Sequence, residues 1–164
     1  MSAVFPIFID FEASSLDLIE SYPIEVGICM PNGDTHSWLI KPHILWKDWS
    51  GKAAKIHGIS REELEENGTD CVDVATALNS LLGNALVYCD AWTFDSFWLH
   101  RLFKTSGLKH SFQIESVSAL LDDAQIERWQ DVHNQAIEEM ALERHRASND
   151  ARILHETFKR VTQV

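Results

Sequence analysis

Apolar runs separated by turn signals predict five β-strands along the chain. The first run, VFPIFIDF, is apolar almost throughout, which is typical of a central strand covered on both faces, with Pro6 near its start. The pair Asn32-Gly33 separates the second and third runs and predicts a β-hairpin there. The predicted strands comprise residues 4–11, 23–30, 36–41, 85–89 and 112–115.

Apolar residues at helical spacing, together with capping signals, predict the remaining elements. Ser60 and Glu63 form a capping-box pattern, and Gly58 and Gly83 mark two helix ends. The predicted helices comprise residues 50–57, 60–67, 72–82, 93–105, 116–143 with a break near 122–123, and 147–161. This order predicts one mixed α/β domain, residues 1–164, in which an antiparallel hairpin is attached to a parallel core.

Composition narrows the class of protein. A formal net charge of −11 argues against extended, non-specific binding of duplex DNA, although not against binding of a few terminal nucleotides. No apolar run approaches the ~20 residues that span a bilayer, and no basic stretch precedes the first one, so we expect a cytoplasmic protein without a membrane partner. The widely spaced Cys29, Cys71 and Cys89 favour buried apolar side chains over a disulfide framework or a zinc site.

Two acidic residues interrupt the apolar pattern of the first predicted strand. Asp10 and Glu12 are spaced i, i+2, so in a strand they point to the same face. Burying two like charges there costs several kcal/mol per ion unless a positive charge compensates them. The alternative is that the strand ends by residue 10 and that both side chains reach water.

Two further acidic residues stand at helix starts. Asp95 opens the helix that follows the fourth predicted strand, and Asp150 lies in the first turn of the last helix. Either one alone is explained by the helix dipole, which favours acids at helix N-termini. Together with Asp10 and Glu12 they form a set of hard oxygen ligands suited to Mg²⁺ or Mn²⁺. A pair of such ions roughly 3.5–4 Å apart assists phosphodiester cleavage.

His145 is the candidate for proton transfer. It precedes the helix that carries Asp150, and imidazole exchanges protons near neutral pH. If the helix extended back to His145, the two side chains would lie on different faces, so we expect His145 on the preceding loop. A lone histidine in such a loop is usually solvated. A catalytic role for His145 is supported only by the predicted acidic residues around it.

Three short segments resemble the motifs of the DEDDh 3′→5′ exonucleases. These segments are DFE (10–12), TFD (93–95) and HRASND (145–150). The family includes oligoribonuclease, ribonuclease T and the proofreading exonucleases of replicative polymerases. PIEVGI (23–28) and IHGIS (56–60) are also similar to the family's second strand and helix-to-helix turn, so the resemblance covers essentially the whole chain.

The resemblance implies a ribonuclease-H-like three-layer fold, with a five-stranded mixed sheet flanked by helices. It implies that two divalent ions, Mg²⁺ or Mn²⁺, are coordinated by Asp10, Glu12, Asp95 and Asp150. His145 would be the general base, and water would attack the last phosphodiester of a single strand and release a nucleoside 5′-monophosphate. The stretch after Glu12, with Ala13, Ser14 and Leu16, would hold the terminal nucleotide.

Two departures from the family pattern affect substrate binding. ASSL (13–16) replaces the usual small or threonine-glycine run, and Asp90 stands where the family commonly has asparagine. Asp90 adds negative charge near the site, which could weaken strand binding or supply an outer contact to a metal. Neither departure removes a predicted ligand or the base, so the sequence predicts an active enzyme.

Aromatic and basic residues supply further candidate contacts. Trp46 and Trp49, in a lysine-containing segment, could be exposed and stack on bases, as could Phe11, Trp92 and Phe94. For both phenylalanines, core packing is the better explanation.

Arginines near the predicted base could counter phosphate charge. Arg144, Arg146 and Arg152 lie on either side of it, but Arg146 could equally pair with nearby acids.

Two other functions remain open at this stage. One is a catalytically silent nucleic-acid or protein-binding module of the same fold, and the other is a phosphoesterase of small nucleotides. The choice of RNA or DNA, the substrate length and the oligomeric state, including a homodimer, are not determined by the sequence. No polymerase or other protein partner is indicated.

Overall fold

A five-stranded mixed sheet lies at the centre of the computed structural model, which describes residues 5–163. The strands are β1 (Ile7–Ala13), β2 (Pro23–Cys29), β3 (Thr35–Leu39), β4 (Leu86–Cys89) and β5 (Gln113–Ser116). Their order is β3-β2-β1-β4-β5, with the first two pairings antiparallel and the last two parallel. The predicted hairpin on a parallel core is confirmed. Val4, the predicted start of the first strand, lies outside the described residues.

The helices agree with the sequence pattern to within about three residues at their ends. They are α1 (Gly51–His57), α2 (Arg61–Asn67), α3 (Cys71–Leu82), α4 (Trp92–Ser106), α5 (Asp123–Met140) and α6 (Ala147–Thr162), and a 3₁₀ turn covers Val117–Leu120. The predicted break near residue 122 is the start of α5, where Asp122 and Gln125 form a capping box. Among residues 5–163, no helix has the length and apolarity to cross a membrane.

The two faces of the sheet are covered by different helices. Ile9 and Phe11 of β1 point into the main core, which includes Val74 of α3 and Leu102 of α4. On the opposite face Phe8 packs in a smaller core with residues of α6, and α5 packs on the outside of α6. This is the three-layer arrangement that the resemblance implied. The three cysteines are buried and unpaired.

Gly27 lets the first turn of α6 approach the sheet. It lies on β2, paired with Asp10 of β1, and a Cβ atom at this position would overlap the backbone of Ala147 and Ser148. A glycine here therefore brings the N-terminal end of α6 directly over the face of β1 that carries the acidic residues.

Replacing Gly27 with alanine should force α6 away from the sheet. We expect Gly27→Ala to lower the free energy of unfolding by about 2 kcal/mol, the typical cost of overpacking, as measured by urea denaturation. Gly51→Ala is the matched control, since nothing lies within 4 Å of its added methyl group and α1 gains a better helix former. Equal effects of the two substitutions would contradict the close approach.

Candidate active site

Asp10 and Glu12 both lie inside a strand. Because β1 extends to Ala13, the alternative in which the strand ends by residue 10 is wrong. The two carboxylates share the face that α6 covers, and Glu12 lies directly opposite Glu25 of β2. The sequence therefore places like charges side by side in a partly buried position, where each needs a compensating partner.

The start of α4 and the loop before it bring two more carboxylates to Asp10. Asp95, in the first turn of α4, is 1% exposed, and the exposed Asp90 follows β4. Carboxylate oxygens of Asp10, Asp90 and Asp95 all lie within 4.8 Å of one another. The Oδ2 atoms of Asp10 and Asp95 are buried and have no hydrogen-bond partner among the described residues. Such orphaned oxygens are unfavourable unless a ligand that the chain itself does not supply satisfies them.

The loop before α6 completes a second group. His145 lies on this loop, as expected, with a left-handed backbone (φ +62°) that residues other than glycine rarely adopt. Its backbone N–H donates to Oδ1 of Asp150 at 3.3 Å. Side-chain ligand atoms of Glu12, His145 and Asp150 lie within 4.8 Å of one another. β1, α4, the loop before α6 and the first turn of α6 therefore bring all five predicted catalytic residues into two adjoining groups.

The carboxylates cannot all carry full charge without a nearby cation. Burial raises the pKa of Asp10 well above its ordinary value, and the charge of Asp95 raises it further. Burial likewise raises the pKa of Asp95, with the charge of Asp90 next in importance. Burial raises the pKa of Glu12 to about 8, with the charge of Asp150 as the next cause. A set of hard oxygen donors with surplus negative charge and orphaned buried oxygens fits a divalent ion such as Mg²⁺ or Mn²⁺.

Two residues of the site were not assigned there from the sequence. Arg144, which was expected only to counter phosphate charge, donates from Nε to Oδ1 of Asp150 at 2.9 Å. His133 of α5 lines a cavity of about 30 Å³ together with Arg144, Asp150, Asp10 and Asp90. Burial lowers the pKa of His133, and the charge of Asp90 opposes this effect. Nothing in the sequence distinguishes His133 from other polar residues of α5.

Glu25 fixes the loop that carries His145. Its carboxylate is 3% exposed and accepts hydrogen bonds from Nη2 of Arg146 at 2.8 Å and from the backbone N–H of Ala147 at 2.7 Å. These contacts cap the N-terminus of α6 and tie the residue after His145 to β2. The sequence showed that Arg146 could pair with an acid. The overlooked signal for its partner was an acidic residue inside the apolar run PIEVGI.

The residues after Glu12 differ in how far a ligand could reach them. The side chains of Ala13 and Ser14 are buried. The Ser14 hydroxyl donates to Oδ2 of Asp48 at 2.7 Å and accepts from the backbone N–H of Tyr22 at 3.1 Å, so it anchors the turn after β1. Leu16, in contrast, is 71% exposed. Of these three residues, only Leu16 presents its side chain to solvent.

The aromatic candidates also separate by burial. Phe11 is 4% exposed and packs in the main core, so its side chain cannot stack on a base. Phe94 packs against Trp98 at 5.6 Å between ring centroids and is partly buried. Trp92, at the start of α4, is 47% exposed and is available to a ligand.

Trp46, for which the sequence left exposure open, is buried. Trp46 is 3% exposed and stacks on Tyr22, with 5.1 Å between ring centroids. Arg61 donates to the Trp46 carbonyl oxygen at 2.7 Å and also bonds the Tyr22 hydroxyl. Trp49 is partly buried and lies edge-on to His57. The polar neighbours of Trp46 in the sequence suggested a surface position. The residues that bury it are distant along the chain, so the local sequence does not reveal them.

A three-layer α/β fold thus brings two adjoining acidic groups together. A model of the exonuclease family RNase T matches residues 7–158, and the chain belongs to this family. The resemblance read from the three motifs is thereby confirmed. Comparison with the sequences of curated proteins finds no match.

Solved exonuclease structures share the fold. A zinc-bound complex of Escherichia coli exonuclease I with single-stranded DNA superposes with a TM-score of 0.67 at 13% identity, over 94% of this chain and 39% of that one. The same enzyme with a dA16 oligonucleotide gives 0.67 at 13% identity, over 93% and 39%. Exonuclease I from Methylocaldum szegediense gives 0.58 at 15% identity, over 74% and 29%. The chain thus spans about two-fifths of the length of the E. coli enzyme.

The metal-free protein should lose stability as the pH rises from about 4.5 to about 8. The ordinary pKa of Glu12 is 4.5 and folding raises it to about 8, so its protonated form favours the folded state and the advantage disappears as the carboxyl ionises. Thermal unfolding in EDTA at pH 5, 6.5 and 8 measures this loss, and Mn²⁺ should raise the Tm most at pH 8. Glu12→Gln should weaken the pH dependence, and Glu62→Gln on exposed α2 should not. A Tm in EDTA that rises steadily over this range would contradict the assignment.

Breaking the Glu25–Arg146 pair should destabilise the start of α6. We expect Glu25→Gln to cost about 2 kcal/mol, less than for a fully buried pair because the Arg146 side chain is 33% exposed and can reach water. Glu65→Gln is the control, since it removes the exposed Arg61–Glu65 pair and should cost about 0.5 kcal/mol. Urea denaturation compares the two variants. Equal losses in the free energy of unfolding would argue against a stabilising role of the Glu25–Arg146 pair.

Proposed function

We propose that the protein is a metal-dependent 3′→5′ exonuclease that removes nucleoside 5′-monophosphates from single-stranded RNA or DNA, with residues 1–164 acting as one exonuclease domain. One observation carries this proposal. Carboxylates from β1, α4 and α6 form two adjoining groups, one of which includes His145, and two buried carboxylate oxygens lack any partner among the described residues. Membership of the exonuclease family supports the same chemistry.

The acidic residues hold the cofactor in this proposal. Asp10, Glu12, Asp95 and Asp150 would bind two divalent ions, Mg²⁺ or Mn²⁺, and Asp90 is close enough to Asp10 and Asp95 to contribute. Such ions, when bound, stabilise the charge that develops on the attacking and leaving oxygens. The like charges that destabilise the metal-free site thus create its affinity for cations.

His145 accepts the proton of the attacking water. Its imidazole lies beside Glu12 and Asp150, and its loop is fixed by the bond from its own N–H to Asp150 and by the contacts of Glu25 with Arg146 and Ala147. A fixed base loses little freedom on reaching the transition state. The strained backbone of His145 is therefore held by Asp150 and by the two residues that follow His145.

In this proposal, the 3′ end of the nucleic-acid strand lies over exposed apolar residues. Leu16 follows β1 and Trp92 opens α4, so both stand on elements that carry metal-binding carboxylates, and both expose their side chains. They contact the terminal bases. The main chain of Ala13 contacts the terminal sugar, since the main-chain N–H and carbonyl of Ser14 already bond Tyr22 and Ser50. Single-stranded DNA bound to E. coli exonuclease I supports this class of substrate.

Cleavage of 5′-labelled single strands tests the proposal. RNA and DNA of matched sequence, incubated with Mg²⁺, Mn²⁺ or EDTA, should give a metal-dependent ladder that shortens from the 3′ end. Asp10→Asn should lower the rate at least about 100-fold through loss of a metal ligand. It should also raise the Tm in EDTA at pH 8, because a repelling charge is removed. His145→Ala should lower the rate about 10²–10⁴-fold.

Matched substitutions of exposed residues control for general effects of mutation. Asp73→Asn on α3 and His36→Ala on β3 should leave the rate unchanged. A rate that survives Asp10→Asn would sink the proposal. Absence of cleavage with metal-dependent strand binding would favour a silent binding module, and hydrolysis confined to mononucleotides or dinucleotides would favour a small-nucleotide phosphoesterase.

A further inference from the structure

Cationic side chains near the C-terminal end of α4 form a surface that the proposed chemistry does not use. Two adjoining clefts of about 450 and 400 Å³ share Lys104. Three of the lining residues carry a positive charge, Arg101, Lys104 and Lys109, and we call these three the α4 cationic surface. Neither cleft is lined by an acidic residue, although the chain has a net charge of −11. Such segregation in an acidic protein indicates an anionic ligand.

Arg101 is the least compensated of these cations. Its Nη1 donates to the Ile19 carbonyl oxygen at 2.9 Å and its guanidinium lies 5.8 Å from the centre of the Trp46 ring. Its Nε is buried without a hydrogen-bond partner, and within residues 5–163 no carboxylate pairs with it. Lys104 and Lys109 also form no ion pair in this part of the chain. A partly buried guanidinium in this state gains from an external anion.

The surface is connected to the candidate active site by two segments. α4 carries Asp95 in its first turn and Lys104 in its last, so at 1.5 Å per residue Arg101 lies about 9 Å and Lys104 about 13.5 Å further along the axis. The carbonyl group that Arg101 contacts belongs to the turn that follows β1. About four stacked nucleotides, at ~3.4 Å each, span the distance from Asp95 to Lys104.

We propose that the α4 cationic surface binds the sugar-phosphate backbone of the substrate strand a few nucleotides upstream of the cleaved bond. The inference rests on the proposed exonuclease function and deepens it, because it predicts that strands too short to reach Lys104 bind more weakly. Continuity with the carboxylate groups favours a nucleic-acid strand over an acidic protein segment. Contacts to phosphates carry no sequence information, so the surface serves RNA and DNA alike.

Asp17, an acid in the turn that Arg101 contacts, is held by the backbone of that turn. Asp17 and Glu20 lie in the same turn as Ile19, but the Asp17 carboxylate accepts the backbone N–H groups of Ile19 and Glu20. Its charge therefore stabilises the turn. Leu45, which is 77% exposed, lines one of the two clefts, and Leu108 lines the other. Both leucines add apolar area against which sugars and bases could pack.

Charge reversal of Lys104 tests the proposal. The control is Lys159→Glu, since Lys159 is also exposed and in the last turn of its helix, but on α6, across the sheet. Lys104→Glu should lower kcat/KM for a 12-nucleotide strand roughly tenfold and leave that for a dinucleotide unchanged. The slope of log(kcat/KM) against log salt for the long strand should become shallower by about 0.7, the value for one phosphate contact on a single strand. Lys159→Glu should change none of these quantities.

A binding measurement tests the α4 cationic surface independently of the proposed exonuclease activity. Fluorescence anisotropy of the 12-nucleotide strand is measured in the Asp10→Asn background with Mg²⁺, with and without Lys104→Glu. Weaker binding caused by Lys104→Glu supports the surface even if the wild-type protein cleaves nothing. If Lys104→Glu left both binding and cleavage of the 12-nucleotide strand unchanged in an active enzyme, the proposed strand contact would be overturned. An acidic protein segment would then be the better candidate ligand for the surface. Equal losses on the long strand and the dinucleotide would also overturn the proposed strand contact.

Discussion

Repulsion among buried carboxylates is the constraint to which the rest of the structure responds. The Oδ2 atoms of Asp10 and Asp95 are buried and find no partner among the described residues, and burial raises the pKa of both carboxyl groups. Such a site lowers the stability of the fold until a cation binds. The sheet, the two cores and the capped helices supply the stability that keeps it in place.

The arrangement around α6 shows how this cost is confined. Gly27 admits the helix to the sheet, and Glu25 neutralises Arg146 and caps Ala147 in one contact. Glu25 thereby turns the residue opposite Glu12 from a further repelling charge into a support for the loop of His145. Glu25 thus supports both the fold at α6 and the loop of the candidate site. This explains why an acidic residue interrupts the otherwise apolar strand β2.

The sequence predicted the sheet and the acidic groups because both rest on local signals. Alternating turns and apolar runs give the strands, and motif spacing gives the residues at strand ends and helix starts. Long-range packing is what it could not give. The burial of Trp46 depends on Tyr22 and Arg61, and the place of His133 depends on how α5 lies on α6. Glu25 could have been noticed as an acid in a buried run, but its partner is 121 residues away.

That separation has a consequence for synthesis of the protein. Asp10 and Glu12 leave the ribosome some 140 residues before His145 and Asp150, an interval of about 7–28 s at ordinary elongation rates. Until then β2 has no helix over Gly27, and Glu25 has no arginine to pair with. A nascent chain that lacks α6 therefore carries Asp10, Asp90 and Asp95 but only Glu12 of the second group, which is complete only when α6 docks.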